Sequence, residues 1–373
     1  MADIQPIVMP KWGLAMQEGM LAAWHVEQGA TIAKGQEIAD IETSKIANAF
    51  ESPVAGILRR RVAGEGETLP VGALLGVVAD PAVPDADLDA FVAGFQERFA
   101  AEMAARATET GPEPETVETT VGRIRFLKIG EGGGTPVLFI HGFGGDLNNW
   151  LFNQPPLAEG RVTYAIDLPG HGGSTKEVGS GDVGTMTAAV CAFMDAIGLT
   201  RAALVGHSLG GAISLDMALN HPERVQSATL ICPAGLGPEI SMEYIDGFMS
   251  AGRARKLRPI LEMLVADPAL VTNEMVEDVL KFKRLDGVEA ALNKIASATF
   301  AGGRQALQLT DKLGALQVPV QVVWGAQDRI VPATHGQGLP VSIKVTTLPD
   351  AGHLAHMEKA NEVNELIKAL VAD

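Results

Sequence analysis

The sequence predicts a multidomain chain: an all-β flattened sandwich followed by an open α/β sheet with a helical cap. Three observations carry this expectation. Residues 1–79 alternate short apolar runs with Gly, Pro and polar breaks, the pattern of short strands joined by tight turns. From about residue 117 onward, strand-like and helix-like segments alternate, which marks a mainly parallel sheet. Between them, residues 80–116 are rich in Pro, Ala and acid, the composition of a solvated linker. With 373 residues and 47% apolar content, the chain is long enough to bury more than one core.

The first segment repeats itself. Gly29 and Gly35 bracket GATIAKG before the strand-like EIADI, and Gly66 and Gly72 bracket GETLPVG before ALLGVV. Two such halves predict a pseudo-twofold sandwich. Lys45 lies between IADIET and IANAFES, at the point where two strands reverse direction. A hairpin tip displays its side chain on a short, rigid loop, as an enzyme that modifies one lysine requires. With ETSKI around Lys45, residues 4–79 resemble the lipoyl domains of the 2-oxo acid dehydrogenase complexes, whose modified lysine sits in a pattern such as ETDKA. The resemblance implies lipoate carried covalently on Lys45. Ser44 stands where that family usually has an acid, and the methionines that flank the lysine of related biotin carriers are replaced by Ser44 and Ile46.

Inside residues 80–116, DLDAFVAGFQERFAAEMAARA places Leu88, Phe91, Val92, Phe95 and Phe99 at three- and four-residue spacing. That is one face of an amphipathic helix, suited to docking on a partner subunit or on its own chain.

In the segment 117–373 the strand-like pieces are RIRFLKI, PVLFIHG, RVTYAID, RAALVGH, SATLICP, VQVVWG and SIKVTTLPD. A Met- and Leu-rich interruption between Gly235 and Gln317 predicts a helical cap at about 236–316. RAALVGH runs into Gly206-His207-Ser208-Leu209-Gly210, and Leu209 opens a helix continuing to about Asn220. This is the strand-turn-helix setting of a nucleophile elbow. A serine hydroxyl is a poor nucleophile until a base takes its proton, and the base needs an acid to orient it. Asp328 follows VQVVWG, and His353 follows the last strand in LPDAGHLAHME, which completes the order Ser, Asp, His. His356 is the rival base, Asp350 reads as a turn residue, and SATLICP ends in Cys232-Pro233 without a competing carboxylate. An oxyanion needs two backbone donors. Leu209 and Phe143, the latter in the HGFGG loop after PVLFI, fit that need. His141, Asp167, His171 and His207 read as packing and loop-shaping residues.

Bulk properties narrow the function further. The net charge is -16, and residues 81–120 carry two basic against nine acidic side chains, the opposite of a phosphate-binding surface, so no nucleic-acid partner is expected. No apolar run of about 18 residues occurs, and MADIQPIVMPKWG lacks the basic and apolar regions of a leader. A cytoplasmic protein without a membrane partner is expected. Cys191 and Cys232 have neither disulfide nor metal-ligand spacing and read as buried small hydrophobes, so no metal is expected. Arg253, Arg255, Lys256 and Arg258 cluster at the start of the insertion, a candidate site for the phosphates of a cofactor.

Residues 117–373 resemble the α/β-hydrolases. The fusion as a whole is similar to the acetyltransferase components of bacterial acetoin-cleaving dehydrogenase complexes, over essentially the whole chain. That resemblance implies acetyl transfer from lipoyl-Lys45 to coenzyme A through Ser208, His353 and Asp328. It also implies thiamine-diphosphate-dependent acetoin dehydrogenase subunits and dihydrolipoyl dehydrogenase as partners, in a homo-oligomer. The HxxxDG motif of the ordinary acyltransferases of such complexes is absent, which leaves the triad as the visible transfer machinery. Two other readings stay open: an esterase or thioesterase with a fused lipoyl carrier, and a carrier scaffold whose hydrolase-like domain is not catalytic.

Overall fold

A computed structural model describes residues 4–10, 18–42, 47–108 and 112–371. The chain divides into two compact units, Met1–Gly111 and Pro112–Asp373. Lys45 lies outside the described residues.

Unit 1 contains β1 (Ile4–Val8), β2 (Glu18–Trp24), β3 (Thr31–Ile32), β4 (Glu37–Glu42), β5 (Ala47–Glu51), β6 (Gly56–Arg61), β7 (Glu67–Pro70), β8 (Leu74–Ala79) and α1 (Asp85–Thr108). The strands form two four-stranded sheets, ordered β1-β8-β6-β3 and β5-β4-β2-β7. Ile7, Leu21, Ile38, Ile41, Leu58 and Leu75 fill the space between them, and the Trp24 indole N–H is satisfied by the Ala63 carbonyl at 3.1 Å. The internal repeat has a backbone cause: Gly29, Gly35, Gly66 and Gly72 all take positive φ, a region that glycine enters without steric cost. β4 and β5 pair antiparallel with Glu42 opposite Ala47, so Lys45 falls in the sequence between the two ends of a hairpin.

The apolar face of α1 is seated on its own unit. Leu88 is fully buried with Leu74, Val77, Ala79 and Val83, and Phe91, Val92 and Phe95 pack against the same cluster. Phe99 reaches the sandwich core. At the helix start Arg59 meets Asp85 at 3.0 Å, and Arg60 meets Asp85 and Asp89 at 3.1 Å each. Both acids are well exposed, so these pairs set the helix register while the buried apolar face supplies most of the stability. Leu88→Ala should therefore destabilise unit 1 by about 2–4 kcal/mol, seen by calorimetry of the full chain as a lowered first or second transition with the other one unmoved.

Unit 2 is an eight-stranded sheet ordered β16-β15-β14-β13-β11-β12-β10-β9. β9 (Glu115–Thr119) and β10 (Gly122–Ile129) form an antiparallel edge. They are followed by β11 (Gly134–Ile140), the short α2 (Gln154–Leu157), β12 (Arg161–Ile166), α3 (Val183–Ala196), β13 (Ala202–His207), α4 (Leu209–Asn220) and β14 (Val225–Ile231). The insertion then supplies α5 (Met242–Ser250), α6 (Ala254–Leu261), α7 (Asn273–Lys283) and α8 (Val288–Thr299). β15 (Val320–Gly325), β16 (Lys344–Leu348), α9 (Ala355–Glu358) and α10 (Ala360–Val371) close the chain. From β11 to β16 the sheet is parallel. Its centre is buried on both faces, which is why AALVGH and VQVVWG are enclosed at every position and read as continuous rather than alternating apolar runs.

Strand order decides where chemistry can happen. β11 lies between β12 on one side and β13 on the other, so the chain leaves the two neighbouring strands β11 and β13 in diverging directions. In open α/β sheets such a switch point opens a crevice at the carboxyl ends of the strands. Ser208 follows β13 and the His141–Gly145 loop follows β11, so both border that crevice.

Candidate active site

Ser208 is the residue on which β13 turns into α4. Its backbone sits at φ 53, ψ -114, a strained region for a residue with a Cβ. Hydrogen bonds on both sides hold it there: its N–H donates to Ile231 O at 3.0 Å, and its carbonyl accepts from Ala212 and Ala234. The flanking glycines are a matter of space. A Cβ on Gly206 would lie 2.2 Å from Gly210 O, and one on Gly210 would lie 2.0 Å from Ile140 O.

The loop after β11 lies against this turn, because a Cβ on Gly142 would come within 3.0 Å of Ser208 Cβ. Two buried histidines shape the loop. Leu168 N–H donates to His141 Nε2 at 3.0 Å, so Nδ1 carries the proton and donates to Gly142 O at 2.7 Å. In the same way Gly144 N–H donates to His171 Nε2 at 3.0 Å, and His171 Nδ1 donates to Pro169 O. Asp167 accepts from Leu147 N–H and Gly173 N–H and pairs with Arg125 at 3.1 Å. These residues hold loops, as the sequence suggests. Phe143 is the residue between the two anchored glycines, and Leu209 is the first residue of α4, whose N–H has no acceptor within the helix.

Asp328 and His353 are brought together from the ends of β15 and β16. His353 Nδ1 donates to Asp328 Oδ2 at 2.8 Å, and both side chains are almost completely enclosed. Trp324 Nε1 donates to the same Oδ2 at 3.1 Å, while Ile330 and Val331 N–H donate to Oδ1 at 2.8 and 3.0 Å. Four donors leave the carboxylate one orientation. With its proton on Nδ1, the neutral His353 ring has Nε2 left as an acceptor. His207, the neighbour of Ser208, donates Nε2–H to the His353 carbonyl at 2.9 Å and packs its ring 4.7 Å from the His353 ring. The rival His356 is buried against Trp150 and His207, with neither ring nitrogen hydrogen-bonded, and Asp350 occupies a left-handed turn at φ 50.

Burial holds the supporting histidines neutral. It pushes His171 and His207 well below the ordinary value of 6.5, and in His207 the nearby His356 and His353 add to the effect. His141 is lowered for the same reason, partly offset by Asp167, and His356 falls to about 3. Cys232, at φ 44 after β14, is buried, and that burial pushes its thiol up; Cys191 is only half-buried. Donor atoms of Cys232, Asp328 and His353 lie within 4.8 Å of one another, and two of these three residues are already bonded to each other through His353 Nδ1 and Asp328 Oδ2.

The four residues of the basic cluster do not act alike. Arg253, Arg255 and Lys256 are exposed, whereas Arg258 is engaged in the cap, with Nη1 on Val271 O at 2.6 Å and Nη2 on Asn273 Oδ1 at 2.5 Å. Sequence reasoning missed Trp324 and Lys283, a tryptophan in a central strand and a lysine among helical charges, because neither carries a local signal of its contacts.

The fold and this elbow define an α/β-hydrolase domain preceded by a domain of the biotin and lipoyl carrier type. The α/β-hydrolase-fold family matches residues 135–360, and the biotin-requiring-enzyme family matches residues 5–78. The chain is 47% identical over 371 residues to the dihydrolipoyllysine-residue acetyltransferase component of the acetoin cleaving system of Pseudomonas putida, covering 100% of this chain and 99% of that one. It is 46% identical to the component of the same name from Cupriavidus necator, covering 98% and 96%. It belongs to the family of acetyltransferase components of acetoin cleaving systems. Among solved structures, 2-hydroxy-6-oxo-6-phenylhexa-2,4-dienoate hydrolase from Rhodococcus superposes with a TM-score of 0.63 at 24% identity, over 70% of this chain and 100% of that one, a likeness of fold. No helix among the described residues is long and apolar enough to cross a membrane.

The neutral histidines set the direction of acid sensitivity. Their folded pKa values lie below the ordinary 6.5, so below that pH the unfolded chain binds more protons than the folded one. The stability they allow is complete above pH 6.5 and is lost as pH falls from there toward the folded values. His356, whose folded value is about 3, should contribute about 2 kcal/mol of loss between pH 6.5 and 5, and His171 and His207 should add to it in the same direction, read as a falling urea midpoint for the unit 2 transition. A midpoint independent of pH over that range would contradict the neutral assignment.

Proposed function

We propose that this chain moves an acetyl group from a lipoyl arm on Lys45 to coenzyme A through Ser208, with His353 as base and Asp328 orienting it. The observation that carries the reading is the enclosed Asp328–His353 hydrogen bond of 2.8 Å, tied to the serine elbow by the bond from His207 to the His353 carbonyl, in a chain aligned over its length with named acetyltransferase components. A lipoyl group on Lys45 would supply a thiol that carries the acetyl group as a thioester. The hairpin register of β4 and β5 around Lys45 fits such an arm.

Ser208 Oγ attacks the thioester carbonyl as His353 Nε2 takes its proton. The amides of Phe143 and Leu209 bind the oxygen that becomes negative. The carbon–sulfur bond breaks, the departing sulfur takes the proton from His353, and the acetyl group remains on Ser208 as an ester. The thiol of coenzyme A then gives its proton to His353 and attacks the ester. The serine oxygen leaves with that proton, restoring the hydroxyl, and acetyl-coenzyme A departs. Asp328 stays an acceptor throughout and stabilises the imidazolium that forms in each half.

The partners that fit this chemistry are a thiamine-diphosphate-dependent acetoin dehydrogenase, which would load the arm, and dihydrolipoyl dehydrogenase, which would reoxidise it. Both belong with a cytoplasmic multienzyme complex in which this chain is a homo-oligomer. Water in place of coenzyme A would make the same acyl-enzyme a hydrolase, so the acceptor needs its own test. Exposed Arg253 and Arg255 are the candidates to receive the cofactor's phosphates, and Lys256 joins them. Arg258 is occupied within the cap.

Ser208→Ala and His353→Ala should each remove acetyl transfer from S-acetyl-dihydrolipoamide to coenzyme A, with the double variant little worse than either, since triad members act as a unit. Retention of transfer in Ser208→Ala would mean that the thiol attacks the thioester directly. Lys45→Arg should abolish lipoylation and flux through the assembled complex while small-ester hydrolysis persists; joint loss of both would contradict separate sites. Charge reversal at Arg253 and Arg255 should raise KM for coenzyme A several-fold at low salt, with the difference shrinking as salt screens it. An unchanged KM would remove the phosphate role.

A further inference from the structure

Two adjacent residues at the end of α7, Phe282 and Lys283, reach the loop that carries Phe143 through intermediaries, His171 and Phe248. Lys283 Nζ donates to the carbonyls of Phe248, Met249 and Ala251, the last two at 3.3 and 2.6 Å. These carbonyls end α5, where the helix has no further amides to offer and a cation is favoured. The ammonium also stands 5.1 Å from the centre of the Phe248 ring. Lys283 makes no ion pair among the described residues, and its partial burial lowers its pKa. A half-buried charge held by three carbonyls and a ring fixes the end of α5 and the ring it carries.

That ring is the contact with the loop. Phe248 is fully buried, and a Cβ on Gly144 would lie 2.6 and 2.8 Å from its Cζ and Cε1. Phe248 also meets the Phe143 ring edge to face at 5.8 Å. The second route starts at Phe282, which stacks on His171 with 13° between the ring planes. His171 in turn accepts the Gly144 N–H. Gly144 is thus pressed by Phe248 on one side and tethered by His171 on the other, and the preceding residue is Phe143.

We propose that Lys283 is a positioning residue: by locking the end of α5, it seats Phe248 against Gly144 and so aims the Phe143 amide at the developing oxyanion. This rests on the reading of Phe143 as an oxyanion donor. The cap then has a part in the chemical step as well as in covering the site, since the amide is aligned only when α5 and α7 are packed together. A displacement of an oxyanion donor lowers the rate of bond making without weakening ground-state binding, because the donor interacts fully only with the tetrahedral state.

The test uses the full-length protein with S-acetyl-dihydrolipoamide and coenzyme A. Lys283→Met should lower kcat by ~10- to 100-fold with KM for the thioester changed by less than about twofold. Its affinity for a trifluoromethyl ketone, which forms a tetrahedral oxyanion on the serine, should fall in parallel. Lys283→Arg, which keeps a cation and donors at the same carbonyls, should recover most of kcat. Phe248→Leu removes the ring while leaving Lys283 and its carbonyls in place, and should show the same kcat loss and the same loss of ketone affinity. That variant decides the matter if Lys283→Met does not fold. Unchanged kcat in folded Lys283→Met or in Phe248→Leu would overturn the proposal, as would a rise in KM alone. Ser208→Ala measured in parallel separates the two readings: its survival refutes the acyl-serine route itself, whereas its inactivity beside a fully active Lys283→Met refutes only the role of Lys283.

Discussion

The backbone at Ser208 is the constraint around which unit 2 is arranged. A side chain at φ 53, ψ -114 costs about 1–3 kcal/mol, and it persists because three backbone hydrogen bonds from β14, α4 and the loop at Ala234 all depend on that conformation. The turn brings α4 so close to β13 and β11 that glycine is required at 206 and 210. In return the hydroxyl is lifted out of the sheet at the switch between β11 and β13, with the first amide of α4 beside it. The HGFGG loop packs against this turn at Gly142, and the segment after Cys232 is tied to it by the Ala234 N–H.

Electrostatics then sorts the histidines. Five of them, His141, His171, His207, His353 and His356, are buried in unit 2, and only His353 is given a carboxylate partner. The others are held neutral by burial and by one another. His207 and His356 therefore lie beside His353 without competing for its proton, and a positive charge formed in this cluster settles on the ring that Asp328 can stabilise. His207 adds a mechanical role through its bond to the His353 carbonyl.

Much of this was legible in the sequence because it is local. The elbow, the carboxylate after VQVVWG and the histidine after the last strand each announce themselves by a strand end followed by small or polar residues. The doubled GATIAKG and GETLPVG segments give the sandwich its repeat through glycines that turn out to need positive φ. What the sequence does not display are contacts between distant positions. The seat of α1 shows only in the packing of Leu88 and Phe91 on β8 and in Arg59 and Arg60 meeting Asp85 and Asp89, and the amphipathic pattern alone is equally suited to a partner subunit. Arg258 looks like its neighbours in the basic cluster until its bonds to Val271 and Asn273 are seen. Lys283 resembles any helix-end lysine, and its carbonyl partners lie 32 to 35 positions away.

The central claim is that the acetyl group passes through an ester on Ser208. Rapid quenching of the full-length protein mixed with S-acetyl-dihydrolipoamide, followed by peptide mass spectrometry, tests it most directly. The account predicts an acetylated Ser208 peptide that accumulates without coenzyme A and disappears at the rate of acetyl-coenzyme A formation once coenzyme A is added. Acetyl-coenzyme A formed at full rate with Ser208 unmodified at every time point would contradict it.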